Sequence, residues 1–414
     1  MPERRRIAAV IVVAVLTFSP RFAAGQDDRR YVGVLDRDMT PAAGAADLLT
    51  IERALADVED RWLPPLRFDE PTPLKHALGI GYRFGKWFGL DLPQDHFLMV
   101  VGHEVFGHGA RLREIGAGDI RYRFDAPIPY GGGGASTEFE GDVLVTRADV
   151  LGIDTGGIDA QNVLADQIGR QALAADALHY REAWLYLESR LDGLRYIRSV
   201  SPRSPAGHDV AAFLHDVNDE CDPPACTPFI ASTLKRRALL MLADPLLAYA
   251  AYGWAWSYLI RGRTSAALPM IPLPHDVRYL PALHFEMTPY GTALTTEHAI
   301  IRRQRLMSVS IGVGDTGGRR AWDLGVVATD VLRSAWLRGD VAVNVWLQPS
   351  LDAPPDFQLF TTGGLGAATV RIPIGRGAER TGVLVQIGYK SDGFVRGERL
   401  HRGPIVRVGM TFIP

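Results

Sequence analysis

The chain has 414 residues, 47% of them hydrophobic and 22% charged, with a formal net charge of −2. That length suffices for two or three domains with their own cores. The near-neutral balance, without zinc-finger Cys/His spacing or an extended Lys/Arg run, leaves nothing to hold a phosphate backbone, and nucleic acid is excluded as an expected partner.

The N-terminus reads as an export signal. A basic start, "MPERRR", precedes the apolar run "IAAVIVVAVLTF", and Ala23 and Gly25 supply small residues before Gln26. This pattern predicts a secretory signal peptide over residues 1–25, with an uncleaved N-terminal anchor as the alternative. Either way the chain is expected to leave the cytoplasm, for the periplasm or the outer membrane. Cys221 and Cys226, the only two cysteines, flank the turn-forming "DPPA" and are expected to form a small-loop disulfide.

Residues 26–270 read as a mainly helical domain. "AADLLTIERALADVEDRWL" has apolar residues at helical spacing. Residues 94–114 predict a helix with Asp95 at its N-cap, and residues 172–198 another amphipathic run. Between them, "DIRYRFDAPIPYGGGGASTEF" predicts an extended segment with a flexible turn at Gly131–Gly134. The apolar run 238–260 is long enough to cross a bilayer, which takes about 20 residues, but Asp244-Pro245 interrupts it. A buried core helix and an inner-membrane anchor through 246–260 are both compatible with it.

Residues 271–414 change period from 3.6 to 2. About eight alternating strands are expected, near 282–288, 291–301, 304–314, 321–332, 338–348, 357–374, 382–391 and 403–413. The fold class is therefore α+β: a helical domain followed by an antiparallel all-β domain, expected to close into a barrel. The alternation, with Phe412 near the C-terminus, resembles an outer-membrane barrel; a soluble sandwich or barrel packed on the helical domain is the other reading.

The chemistry concentrates in "GHEVFGHGARLRE". His103 and His108 are five apart, not the four of ordinary His-Glu-x-x-His zinc sites. On a regular α-helix that places them about 140° apart, too far to share an ion. A π-bulge absorbs the extra residue, and Gly107 presents no side chain to oppose it. The two imidazoles are then expected to approach within about 3–4 Å, as zinc bonds of about 2.0–2.1 Å require.

The six residues His-Glu-Val-Phe-Gly-His resemble the His-Glu-x-x-Gly-His signature of the dipeptidyl peptidase III family of zinc peptidases. The resemblance implies zinc bound by His103 and His108, with Glu104 activating water. It covers this helix alone, and the family's second acidic motif, with two adjacent Glu, does not occur here.

A third ligand is expected downstream. Asp159, in "TGGIDAQNVLADQI", is the first choice, with Gly156-Gly157 expected to open its helix; Glu138 and Glu140 in "STEFEGD" are the alternatives. His208 and His215 share a helix face and are more simply a polar edge than a second site, and Tyr130 is a weaker candidate for oxyanion contact. The expected function is an exported, envelope-associated zinc metallopeptidase acting on a peptide or protein substrate, with a membrane as a partner. The alternative is a non-enzymatic outer-membrane β-barrel protein with a periplasmic helical domain.

Overall fold

The computed structural model describes residues 31–412 except positions 67, 69–71, 127, 128, 130–133, 142, 206, 220, 225, 303, 304, 317, 335, 354–358 and 375–380. The expected signal peptide, Tyr130 and Gly131–Gly133 lie outside the described residues.

A short strand β1 (Tyr31–Leu35) leads into helix α1 (Pro41–Trp62), which Pro41 opens at a position where its missing N–H costs nothing. A long helical path then runs from Pro73 to Glu114. It comprises α2 (Pro73–Lys86), a π turn (Trp87–Asp91), α3 (Leu92–Val101), a second π-helical segment (Gly102–His108) and α4 (Gly109–Glu114). Thr72 caps its start by accepting the Lys75 N–H at 3.3 Å. Asp95, expected at an N-cap, lies well inside this path instead, buried, where it accepts from Arg181 Nη2 at 2.8 Å. Pro93 explains the mistaken start: a proline usually marks a first turn. Here the π turn ahead of it accommodates a ring that would crowd the preceding turn of an α-helix.

A hairpin follows, β2 (Gly118–Phe124) with β3 (Ala135–Glu140). Helix α5 (Arg147–Ala175) opens with a reciprocal capping box, Thr146 with Asp149. Gly156-Gly157, expected to open a helix, fall at its middle. They are there for close approach: a Cβ on Gly107 would sit 2.6 Å from the Gly156 carbonyl oxygen. Strand β4 (Ala177–His179) pairs with β5 (Ser265–Ala267) and leads into α6 (Tyr180–Ser199) and α7 (Asp209–Asp216). Cys221 and Cys226 are joined in a disulfide.

The apolar run 238–260 is broken where the sequence indicated. Helix α8 (Ala231–Ala238) and a 3₁₀ turn (Leu239–Ala243) end at Asp244, whose carboxylate accepts the Leu246 N–H at 3.1 Å and starts α9 (Pro245–Ala251) and a π-helical segment (Tyr252–Ile260). Among the described residues no single helix is long and apolar enough to cross a membrane; Ala231–Ala243 and Pro245–Ile260 meet the length and composition together but are bent by 64°. The helical core gathers Leu48 and Leu49 of α1, Met99 of α3, Phe106, Leu164 and Ile168 of α5, and Leu185 and Tyr186 of α6.

The remaining strands are β6 (Ile271–Leu273), β7 (Val277–Thr288), β8 (Gly291–Arg302), β9 (Arg305–Thr316), β10 (Arg319–Arg333), β11 (Arg338–Pro349), β12 (Phe360–Pro373), β13 (Thr381–Lys390) and β14 (Gly403–Phe412). They form an antiparallel meander in chain order, and β1 pairs antiparallel with β14 to make a ten-stranded sheet. The eight expected strands are β7–β14. Strands β1 and β6 were missed because five and three residues are too few to show a period. The expected closure into a barrel is not what the sheet shows: its order runs open from β1 to β6. Helices meet the sheet near both of its ends. On the β1 side, Thr50 Oγ1 accepts the Val32 N–H at 2.7 Å and donates to its carbonyl at 2.8 Å, and Asp47 Oδ1 accepts the Val34 N–H at 2.7 Å. On the other side β7 packs against α5, α8 and the 3₁₀ turn.

Candidate metal centre

An i→i+5 ladder adds one residue to each turn, so residues five apart stack as residues four apart do in an α-helix. Seven residues, Gly102–His108, take that form. His103 and His108 consequently point the same way, with their Nε2 atoms 3.1 Å apart, within the separation expected from the sequence. The deformation is held from outside. Gly107 lets the segment lie against α5, and His103 lies over Gly157, where a Cβ would come within 2.2 Å of its Nε2.

The third donor is Asp209, the first residue of α7. Its Oδ2 lies 3.1 Å from His103 Nε2 and 3.2 Å from His108 Nε2. These three residues form a metal-competent group among the described residues. Its orientation is fixed by a second layer of contacts. His108 Nδ1 donates to the Ile153 carbonyl at 2.8 Å, which fixes the ring and turns Nε2 toward His103 and Asp209. The Asp209 N–H donates to the Tyr196 hydroxyl at 3.1 Å, and the Tyr196 ring lies edge-on to His103.

The electrostatics favour a cation. Burial alone would raise the Asp209 pKa, but the His108 charge and the hydrogen bonds from both imidazoles hold it well below the usual carboxylate range. Burial would lower His108, but the Asp209 carboxylate and the Glu104 charge push it up to about 9. Asp154 is pushed up to about 8 by burial, then by Asp216 and Asp209. Three acids, Asp209, Glu104 and Asp154, thus interact electrostatically with His108.

Glu104 is buried beside the pair. Its Oε2 accepts from Thr137 Oγ1 at 2.5 Å, and the same hydroxyl reaches the Glu104 carbonyl at 3.3 Å. Thr137, on β3, was not picked out from the sequence. Its neighbours Glu138 and Glu140, the alternative ligands, point to solvent in ion pairs with Arg123 and Arg121.

Asp159 is not brought to the centre and is corrected as the third ligand. It is buried against Arg111, whose Nη2 donates to it at 3.0 Å, and it accepts the Gly397 N–H at 3.3 Å. Burial pushes its pKa up to about 6, Arg111 opposing. The reason is helical phase: Asp159 lies about 200° round α5 from Gly157, which faces His103. His208 stacks on Tyr196 at 4.4 Å, and His215 is exposed beside Asp216, so neither is a donor here. Asp209 sits next to His208 in the same stretch, "HDVAAFLHDVND"; the two histidines masked the acid between them.

The chain matches no protein-family model, no curated protein and no solved structure.

Proposed function

We propose that the protein is an exported zinc-dependent hydrolase, and among hydrolases a peptidase, with His103, His108 and Asp209 as metal ligands and Glu104 as general base. The observation that supports this most is the convergence of two imidazole nitrogens and one carboxylate oxygen at mutual separations of 3.1, 3.1 and 3.2 Å. A tetrahedral ion with bonds of about 2.0–2.1 Å has ligand–ligand edges of about 3.3 Å. The donor set is the two-His, one-carboxylate type that catalytic zinc uses, leaving one position for water. Calcium and magnesium prefer oxygen donors, which two imidazoles do not offer.

Bound zinc supplies Lewis acidity, polarising a carbonyl and lowering the pKa of a coordinated water to about 7. The chain's own groups move the proton. Glu104 takes it from the attacking water and returns it to the leaving nitrogen. Thr137 holds Oε2 of that carboxylate and leaves Oε1 for the water. Burial and the Asp209 charge push the Tyr196 hydroxyl above its ordinary pKa, so it keeps its proton and can donate to an oxyanion.

The test is hydrolysis of a fluorogenic peptide library by the purified chain. Activity should be lost on chelation, restored by zinc, and fall at least about 10²-fold in Glu104→Gln with zinc retained. Loss of zinc in step with activity would make Glu104 a ligand; an active Glu104→Gln would remove it from the chemistry.

A further inference from the structure

The large sheet is inside out for a protein surrounded by water. The face toward the helices carries Glu286, Glu297, Asp323, Asn344 and Arg407, all wholly or partly buried. The opposite face is apolar. In the register, Ile311 pairs with Leu324 and Leu324 with Val345; Val326 pairs with Val343; Ile387 pairs with Val406. These pairs form continuous rows across strands β9 to β14. Ile311 is 48% exposed, Val343 52% and Ile387 63%. Such exposure at one or two positions is ordinary; a whole face of it is not.

Extent and borders identify what covers this face. Six strands at about 4.8 Å spacing make a band about 25 Å wide. Four alternate residues per strand, such as Met307 to Val313 on β9 and Val406 to Phe412 on β14, make it about 20 Å tall. No outward-facing position inside the band is charged. Charge returns only past its ends, in the same alternation: Arg320 beyond Trp322, and Arg305 beyond Met307 at the opposite end. Trp322 and Tyr389 stand toward one end and Phe412 at the other.

A second copy of the chain would bring hydrogen bonds at roughly one per 100–200 Å² of interface, and this band has almost no groups to make them. A slab bounded by aromatics and charges at both ends has instead the profile of a bilayer's hydrocarbon between its interfaces. Hydrocarbon also demands that sheet edges be satisfied. The β1 edge meets that demand, its outward N–H groups at Val32 and Val34 being taken by Thr50 and Asp47.

We propose that the outer face of β9–β14 lies against the hydrocarbon of a phospholipid bilayer, with the helices filling the other face and holding the metal centre at the membrane. This inference stands on the sheet alone, independently of the hydrolase reading.

The experiment uses the full chain with single substitutions Ile311→Cys, Val343→Cys and Val408→Cys, and Arg320→Cys as control. Each is labelled with an environment-sensitive fluorophore and reconstituted in phosphatidylcholine vesicles with or without bromine on the acyl chains. The three band positions should be blue-shifted and quenched several-fold by the brominated lipid, and the control should be neither. Emission at the band positions that ignores the brominated lipid would overturn the proposal, whether water or a second copy covers the face. Should a label unfold the sheet, the unlabelled wild-type chain decides by flotation with the same vesicles: co-flotation resistant to high salt supports the proposal, and recovery in the soluble fraction overturns it.

Discussion

Gly157 passes beneath His103 so closely that a Cβ there would lie 2.2 Å from Nε2 and 2.4 Å from Cε1. The imidazole cannot keep its place beside His108 if any side chain is added. Gly157→Ala should therefore fold, since alanine suits a helix interior better than glycine, yet bind metal at least about tenfold more weakly, the scale on which disturbed supporting contacts affect metal sites. Isothermal titration with zinc reads this directly, and circular dichroism checks the fold. Unchanged zinc affinity would mean that His103 is not held by this contact.

Asp209 and Asp159 separate ligand from structural acid. Asp209→Asn should empty the centre of metal with little change in helix content. Asp159→Asn should keep the metal but remove one of the two carboxylates that face the buried Arg111 guanidinium, the other being Glu114 at 3.5 Å. Breaking a buried pair outright costs about 3–5 kcal/mol, and with Glu114 still facing Arg111 the loss should fall below that range. Metal analysis together with denaturant unfolding distinguishes the two; the opposite pattern would return the third position to Asp159.

Asp47 seals the edge of the sheet, and burial, with the Val34 N–H bond opposing, pushes its carboxyl up to about 7. The native state holds this proton more tightly than the unfolded chain, whose Asp titrates near 3.9. The associated stability is full below about pH 4 and is lost as pH rises to about 7. Asp47→Asn keeps the acceptor and cannot ionise, so it should match wild type at pH 4 and exceed it at pH 8. Asp47→Ala leaves the Val34 N–H without this partner and should be about 1–3 kcal/mol less stable than Asp47→Asn at both. Urea titrations at the two pH values measure this; a wild-type advantage over Asp47→Asn at pH 8 would reverse the sign.

What could be read in advance depended on how locally it was encoded. Alternation marks a strand within a few residues, so β11, expected over 338–348, runs Arg338–Pro349. The same alternation could not say whether the sheet closes, because what meets its β1 edge is Thr50 and Asp47, side chains of a helix some 230 residues or more before most of the sheet. HEVFGH was legible because its two imidazoles and its deformation lie within one turn or two. Asp209 was not, since it stands 101 residues from His108 and reaches it only through the packing of α7 against α5. Asp159 misled for a related reason: an acid on an apolar segment signals a buried partner, and its spacing cannot say whether that partner is a metal or an arginine 48 residues away.

The central claim is that His103, His108 and Asp209 hold one metal ion, and zinc-edge X-ray absorption on the purified full chain loaded with stoichiometric zinc tests it most directly. The account predicts about one zinc per chain, with two imidazole nitrogens and carboxylate or water oxygens at about 2.0–2.1 Å, and loss of the imidazole signature in a His103→Ala, His108→Ala double variant. A chain that binds no zinc near stoichiometry, or whose bound zinc has the same spectrum in that variant, would contradict it.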